Sequence, residues 1–184
     1  KPPLPQLDTL ETPRDQLVPF SLWHPCNWLQ VLENFMDPIH TIFLHSDYAE
    51  IQLSEAYAAR PELHWEEVDG GMICVSTRRL DADYVWLRTN HLLLPNFVQV
   101  GTLYEDGKEK NFSRAGITRW VVPHDDTHCS IIGWRHFNED VPSLLLGDPE
   151  ECGVDQMDAV GQSGGRSSEE AQRNPGDWDV MVSQ

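Results

Sequence analysis

Glu33-Asn34-Phe35-Met36-Asp37-Pro38-Ile39-His40-Thr41-Ile42-Phe43-Leu44-His45 places two histidines, an asparagine and an aspartate at fixed intervals inside an apolar run. A plain amphipathic helix would use such positions for core hydrophobes or for solvated charges. Imidazoles set among Ile, Phe and Leu are instead the usual ligands of a borderline transition metal. His40 and His45 are five residues apart, about 500° along an ideal helix, which leaves their side chains roughly 140° apart. They converge on one ion only if the helix ends, kinks or bulges between them. Pro38, two residues ahead of His40, already disturbs regular helix geometry. A kinked core helix carrying two hydrogen-bonded histidines fits the spacing equally well.

The pattern Asn-x2-Asp-x2-His-x4-His, complete here as Asn34, Asp37, His40 and His45, resembles the mononuclear-iron motif of Rieske non-heme iron oxygenases, closest to the phthalate-type branch. These enzymes hydroxylate aromatic rings or demethylate aryl ethers. The resemblance implies that His40 and His45 bind mononuclear Fe(II). It also implies a distant aspartate ligand near the start of a helix, in a pattern like Glu-Asp-x6-Gln. Asp177 lies seven residues before Gln184 as that pattern asks, with Gly176 in place of the acidic residue and Asp179 as the alternative third ligand. Asp37 is then expected to accept an N–H from a ligating histidine and to lead electrons in from the Rieske cluster of a neighbouring subunit. Asn34 is expected to orient the site. His91 and Phe43 are candidates for the substrate pocket.

Composition narrows the alternatives. The net charge of −17 argues against nucleic acid and against anionic membrane surfaces, both of which need basic patches. No run has the length of a membrane span and no signal peptide is visible, so a cytoplasmic protein is expected. The chain opens on Lys1 rather than Met, so its natural start is expected upstream. Cys26, Cys74, Cys129 and Cys152 are scattered, and none begins a Cys-x-His or Cys-x2-His pair. A [2Fe–2S] Rieske centre needs such pairs, so that cluster is expected in the full-length protein and not on this chain.

Residues 1–19 carry five prolines and read as a linker-like extended segment. Residues 20–184 read as one catalytic domain. Phe20-Ser21-Leu22-Trp23 has the character of a short strand. Asn27 is a candidate N-cap for a helix over 28–36 whose apolar face is Leu29, Val31, Leu32, Phe35 and Met36. Residues 47–60 read as short helical pieces. The period then changes to that of strands over 63–68, 72–80, 84–94, 97–104, 116–122 and 127–137, with Asp69-Gly70 and residues 105–108 as turns. About six strands in meander order imply one antiparallel sheet. Trp120 and Trp134 read as core, and His124 and His128 as part of a turn. Residues 138–174, acidic and dotted with Gly and Ser, read as a long and partly mobile excursion. Pro175-Gly176-Asp177 opens a final helix, expected to be truncated at Gln184.

Helix, meander and final helix match the helix-grip (Bet v 1/START-like) arrangement that the resemblance implies, an α+β fold with a curved sheet around a long helix. The expected activity is oxidation of a small aromatic by O₂. In the complete enzyme a reductase or ferredoxin would supply electrons to a homotrimer. Two other readings stay open: a non-catalytic helix-grip module for an apolar ligand, and a zinc hydrolase on the same histidines. The latter lacks a His-Glu-x2-His motif.

Overall fold

The computed structural model describes residues 6–7, 10, 16–47, 55–102, 115–137, 148–157, 159 and 161–184. Seven strands, β1 (Gln16–His24), β2 (Glu62–Val68), β3 (Gly71–Arg79), β4 (Val85–Leu93), β5 (Phe97–Gly101), β6 (Ala115–Asp125) and β7 (His128–Phe137), form a single antiparallel sheet. Their order is β1-β7-β6-β5-β4-β3-β2. The six expected strands are the meander β2 to β7. The seventh is the Phe20 stretch, lengthened to nine residues and paired with the last strand. Because β1 begins at Gln16, four residues read as linker are paired strand. Pro19 is tolerated there because β1 is the end strand of the sheet. At the β2–β3 hairpin Gly70 adopts φ +77°, the left-handed conformation that the Asp-Gly turn requires.

Strand alternation divides the side chains between two faces. On the inner face Cys74, Ser76 and Arg78 of β3 stand opposite Asn90, Arg88 and Trp86 of β4. The same face continues through Val98 and Val100, Arg119 and Val121, Ile131, and Phe20 and Leu22. Helix α1 (Trp28–Met36) packs on this face, burying Val31, Leu32, Phe35 and Met36. Its Asn27 cap accepts the Leu29 N–H, and Gln30 completes a capping box. Leu29, expected on the apolar face, is exposed. Cys26 and Cys129, unrelated in sequence, meet in this core. Trp120 and Trp134 do not join it. Their rings lie tilted against each other, centroids 5.2 Å apart, on the other face, only half buried.

Helices are few. After α1 come α2 (His40–Ile42), α3 (Ser168–Arg173) and α4 (Asp177–Val182), with 3₁₀ turns at Glu55–Ala58 and Pro149–Glu151. The longest helix among the described residues is the nine-residue α1, not the long helix expected. Helix α3 was not anticipated, although Ser167-x2-Glu170 is a capping box legible in the sequence. The turn at 105–108 lies outside the described residues, as do 138–147 of the expected excursion. No described helix is long and apolar enough to cross a membrane.

Candidate metal centre

The chain leaves α1 at Asp37 and re-enters helix at His40. Asp37 supports the restart, accepting the Ile39 N–H at 2.7 Å and the His40 backbone N–H at 3.2 Å. Helix α2 then widens into a π-turn over Phe43–Asp47. A π-turn brings residues five apart into register, where an α-helix would splay them. This is the bulge that the His40/His45 spacing requires. The two rings lie 5.4 Å apart, centroid to centroid, and nearly perpendicular.

Asp177, the first residue of α4 and 143 positions after Asn34, closes the group. Its Oδ1 is 3.2 Å from His40 Nε2 and 3.3 Å from His45 Nε2. Asn34 Nδ2 donates to the same oxygen at 3.3 Å, and Gln162 Nε2 donates to the other. The carboxylate is buried. Burial alone would raise its pKa, but the facing His45 and His40 outweigh that and hold it well below the usual carboxylate range. Two imidazoles and one carboxylate presented from one side are a donor set for a mononuclear transition metal. With metal–nitrogen bonds of about 2.1 Å, ligands at right angles lie about 3.0 Å apart, close to the spacing found. The residues fit a divalent ion.

Gly176 and Gly161 explain how Asp177 is held. Each glycine lies where a Cβ on the other would go, and a Cβ at 176 would meet the Gly161 O at 2.5 Å. The Trp178 N–H donates to Gly161 O at 2.9 Å. This close backbone contact sets Gln162 beside Asp177. The departure from an acidic residue at 176 is thus a packing requirement. Asp179 turns the other way, bound by Arg166 and by the Gly176 N–H. Asp179, the alternative third ligand, instead caps α4 and pairs with Arg166. The stretch 161–166, read as part of an excursion, docks on α4.

A second clamp holds the histidine turn. Arg78, fully buried, donates to Pro38 O and Thr41 Oγ1 at 3.0 Å each, to Ala59 O at 3.1 Å and to Ser76 Oγ at 3.2 Å. Its guanidinium also lies over the Tyr57 and Trp86 rings. Arg78 ties β3 to the residues on either side of His40.

The donor set opens on a cavity of about 750 Å³ counting its open mouth, lined by α1, β4, β5, β6, Met157, Ala159 and Gln162. Phe43 and His91 are not among its walls. Phe43 points outward at 62% exposure, and His91 follows the inward-facing Asn90, so alternation sends it to the opposite face. Arg88, Asn90, Arg119, Gln162 and Tyr57 line the cavity instead. None carried a sequence signal beyond its place in an alternating strand or a loop. Asp37 does not accept from the His40 ring: its Oδ2 is 3.8 Å from Nδ1, and that buried nitrogen has no hydrogen-bond partner among the described residues. His124 and His128 sit at the β6–β7 turn, as read, with His128 Nδ1 3.0 Å from Asp125.

No protein-family model matches the chain. The tert-butanol monooxygenase / tert-amyl alcohol desaturase oxygenase subunit of Aquincola tertiaricarbonis is 38% identical over 198 aligned positions, covering 100% of this chain and 42% of that subunit. Phenoxybenzoate dioxygenase subunit alpha of Ectopseudomonas oleovorans is 42% identical over 104 positions, 56% of this chain and 24% of that one. The 5,5'-dehydrodivanillate O-demethylase oxygenase subunit of Sphingobium sp. (strain NBRC 103272 / SYK-6) is 29% identical over 116 positions, covering 60% and 24%. Dicamba monooxygenase bound to dicamba shares the fold at a TM-score of 0.60 with 17% identity, over 97% of this chain and 51% of that one. The chain belongs with the oxygenase subunits of Rieske-type oxygenases. It spans less than half the length of each of these three sequence relatives.

Proposed function

We propose that this chain is the catalytic part of a Rieske-type oxygenase that hydroxylates or O-demethylates a small aromatic with O₂. In this reading His40, His45 and Asp177 hold mononuclear Fe(II). The observation that carries it is their convergence, across a π-turn and the sheet, at the floor of one cavity. The iron would supply O₂ activation beside the substrate, which a donor set leaving open positions permits. The chain's own groups do the positioning. Asn34 and Gln162 each donate to one oxygen of Asp177 and fix its rotamer. Arg78 fixes the backbone on both sides of His40. Phe35, Val100, Ile117 and Met157 give the cavity its apolar wall and keep water from the reacting centre.

The remaining assignments are part of the same proposal. The catalytic unit, read from sequence as residues 20–184, extends to Gln16 because β1 belongs to its sheet, and the residues ahead of it lead in from a domain that carries the [2Fe–2S] cluster. The sheet and its packed helices form a helix-grip fold. Asp37, 49% exposed on the outer side of His40, is the point at which a neighbouring subunit's cluster delivers electrons in a homotrimer fed by a reductase or ferredoxin. The enzyme works in the cytoplasm. Anaerobic reconstitution tests the centre: the chain should take up about one Fe(II), and His40→Ala and His45→Ala should each abolish uptake while circular dichroism is unchanged. Stoichiometric iron in both variants refutes the site.

A further inference from the structure

The chain is strongly acidic, yet its cavity is cationic. Arg88, Arg119 and Arg135 all line it, against the two carboxylates of Asp37 and Asp177. Asp177 is already engaged by His40 and His45, and Asp37 is occupied with backbone N–H groups. Neither Arg88 nor Arg119 makes an ion pair among the described residues. Arg88 spends its Nε on Gly101 O at 3.3 Å and its Nη1 on Asn90 Oδ1 at 3.1 Å, both neutral acceptors. The Arg119 side chain has no hydrogen-bond partner among the described residues, and its Nε is buried. Its guanidinium carbon lies 3.2 Å above the centre of the Phe35 ring.

A buried guanidinium without an anion is costly, and adjacent like charges add to the cost. Burial first, and then Arg88 and Arg135, pull the Arg119 pKa down to about 9, although Asp177 opposes them. Arg119 is still protonated at neutral pH. Gly133 stands opposite on β7, where a Cβ would collide with the Thr118 O and come within 2.8 Å of the Arg119 Cα and Cβ, so the two strands approach closely here. The fold thus holds a cation at the cavity wall with no anion paired to it among the described residues.

We propose that Arg119, with Arg88 beside it, receives the carboxylate of the substrate, so that the substrate is a small organic acid with an apolar body. This rests on reading the cavity as the oxygenase's substrate site. Guanidinium groups pair with carboxylates through parallel charge-assisted hydrogen bonds. The apolar wall of Phe35, Val100, Ile117 and Met157 receives the rest of the molecule. The charge balance favours the same occupant once a divalent ion sits on His40, His45 and Asp177, because the cavity then becomes more positive.

Calorimetric titration of the chelator-treated 184-residue chain with benzoate and with its neutral isostere benzamide tests the assignment without iron or turnover. Benzoate should bind at least tenfold more tightly. Arg119→Met should lower benzoate affinity about tenfold or more and leave the two probes nearly equal, since a hydrogen bond to a charged group is lost. Arg88→Met should act in the same direction and decides the matter if Arg119→Met fails to fold. Equal binding of the two probes, no binding of either at millimolar concentration, or benzoate affinity retained in the folded variants overturns the proposal. Iron uptake is scored separately. Benzoate preference without iron uptake keeps the anion site and discards the oxygenase reading. Iron uptake without benzoate preference does the reverse.

Discussion

Replacing Gly176 with alanine perturbs the contact that aims Asp177. At φ −118° the position is open to any residue, so the backbone itself does not resist the change. In an open site Gly→Ala would stabilise by about 0.4–1 kcal/mol, because it restricts the unfolded chain. Here the new Cβ meets backbone: Gly161 O at 2.5 Å and C at 2.6 Å, with Cα closer still. No flexible side chain is available to yield, so the segment carrying Gln162 must move away from α4. Overpacking of this kind costs about 1–3 kcal/mol, and a loosened Trp178 N–H to Gly161 O bond adds about 1 kcal/mol. The net loss is about 2 kcal/mol, equivalent to a fall in Tm of roughly 4–8 °C for a chain of this size. Gln162 also withdraws from Asp177, and losing an outer partner of a metal ligand lowers affinity by about 10–100-fold. Thermal denaturation of the metal-free chain and Fe(II) titration of the folded variant measure the two effects separately. A variant as stable as the parent, with undiminished metal affinity, would show that the Gly161–Gly176 contact does not hold the ligand.

Asp177→Asn should lose iron and Asp179→Asn should retain it, although the latter, deprived of Arg166 and the Gly176 N–H, should be less stable by about 1–2 kcal/mol; elemental analysis and denaturant titration distinguish the roles. Arg78→Met leaves four acceptors in the interior without their donor and should cost about 2–4 kcal/mol in urea unfolding. No loss there would mean the clamp on the histidine turn is inconsequential. His24 is fully buried, and burial depresses its pKa from 6.5 to about 4. The unfolded chain therefore takes the proton first. This contribution to stability is complete above pH 6.5 and is lost as pH falls toward 4, by about 3 kcal/mol in all. His24→Phe should flatten the slope of stability against pH across that window, and an unchanged slope would assign it to other groups.

Local chemistry made much of this chain legible from sequence. Asn27 caps α1 because its side chain competes for the first N–H groups wherever it stands. Asp69-Gly70 turns the β2–β3 hairpin because only glycine takes that φ at no cost. The His40/His45 spacing stated its own condition, a bulge between them, and the π-turn meets it. Asp177 was preferred to Asp179 through the spacing to Gln184 that the family resemblance implies.

Other features depend on side chains far apart in the chain. His91 was expected at the pocket, but which face a strand residue occupies depends on its pairing, and one step of register exchanges the faces; Phe43 stands on the π-turn, which leaves its ring in solvent. Gln162 reaches Asp177 only because two glycines fifteen residues apart let their backbones touch. Arg78, Arg88 and Arg119 look in sequence like any charged residues in alternating strands. Pairing β3 with β4, and setting β6 on the same inner face, places two around one cavity and the third beneath the histidine turn. Strand neighbours cost the sequence no visible signal, because sheet pairing is made by backbone groups that every residue carries. The spacing of the two histidines was legible locally, while the approach of Asp177 to them and the cationic cavity above exist only once the sheet has formed.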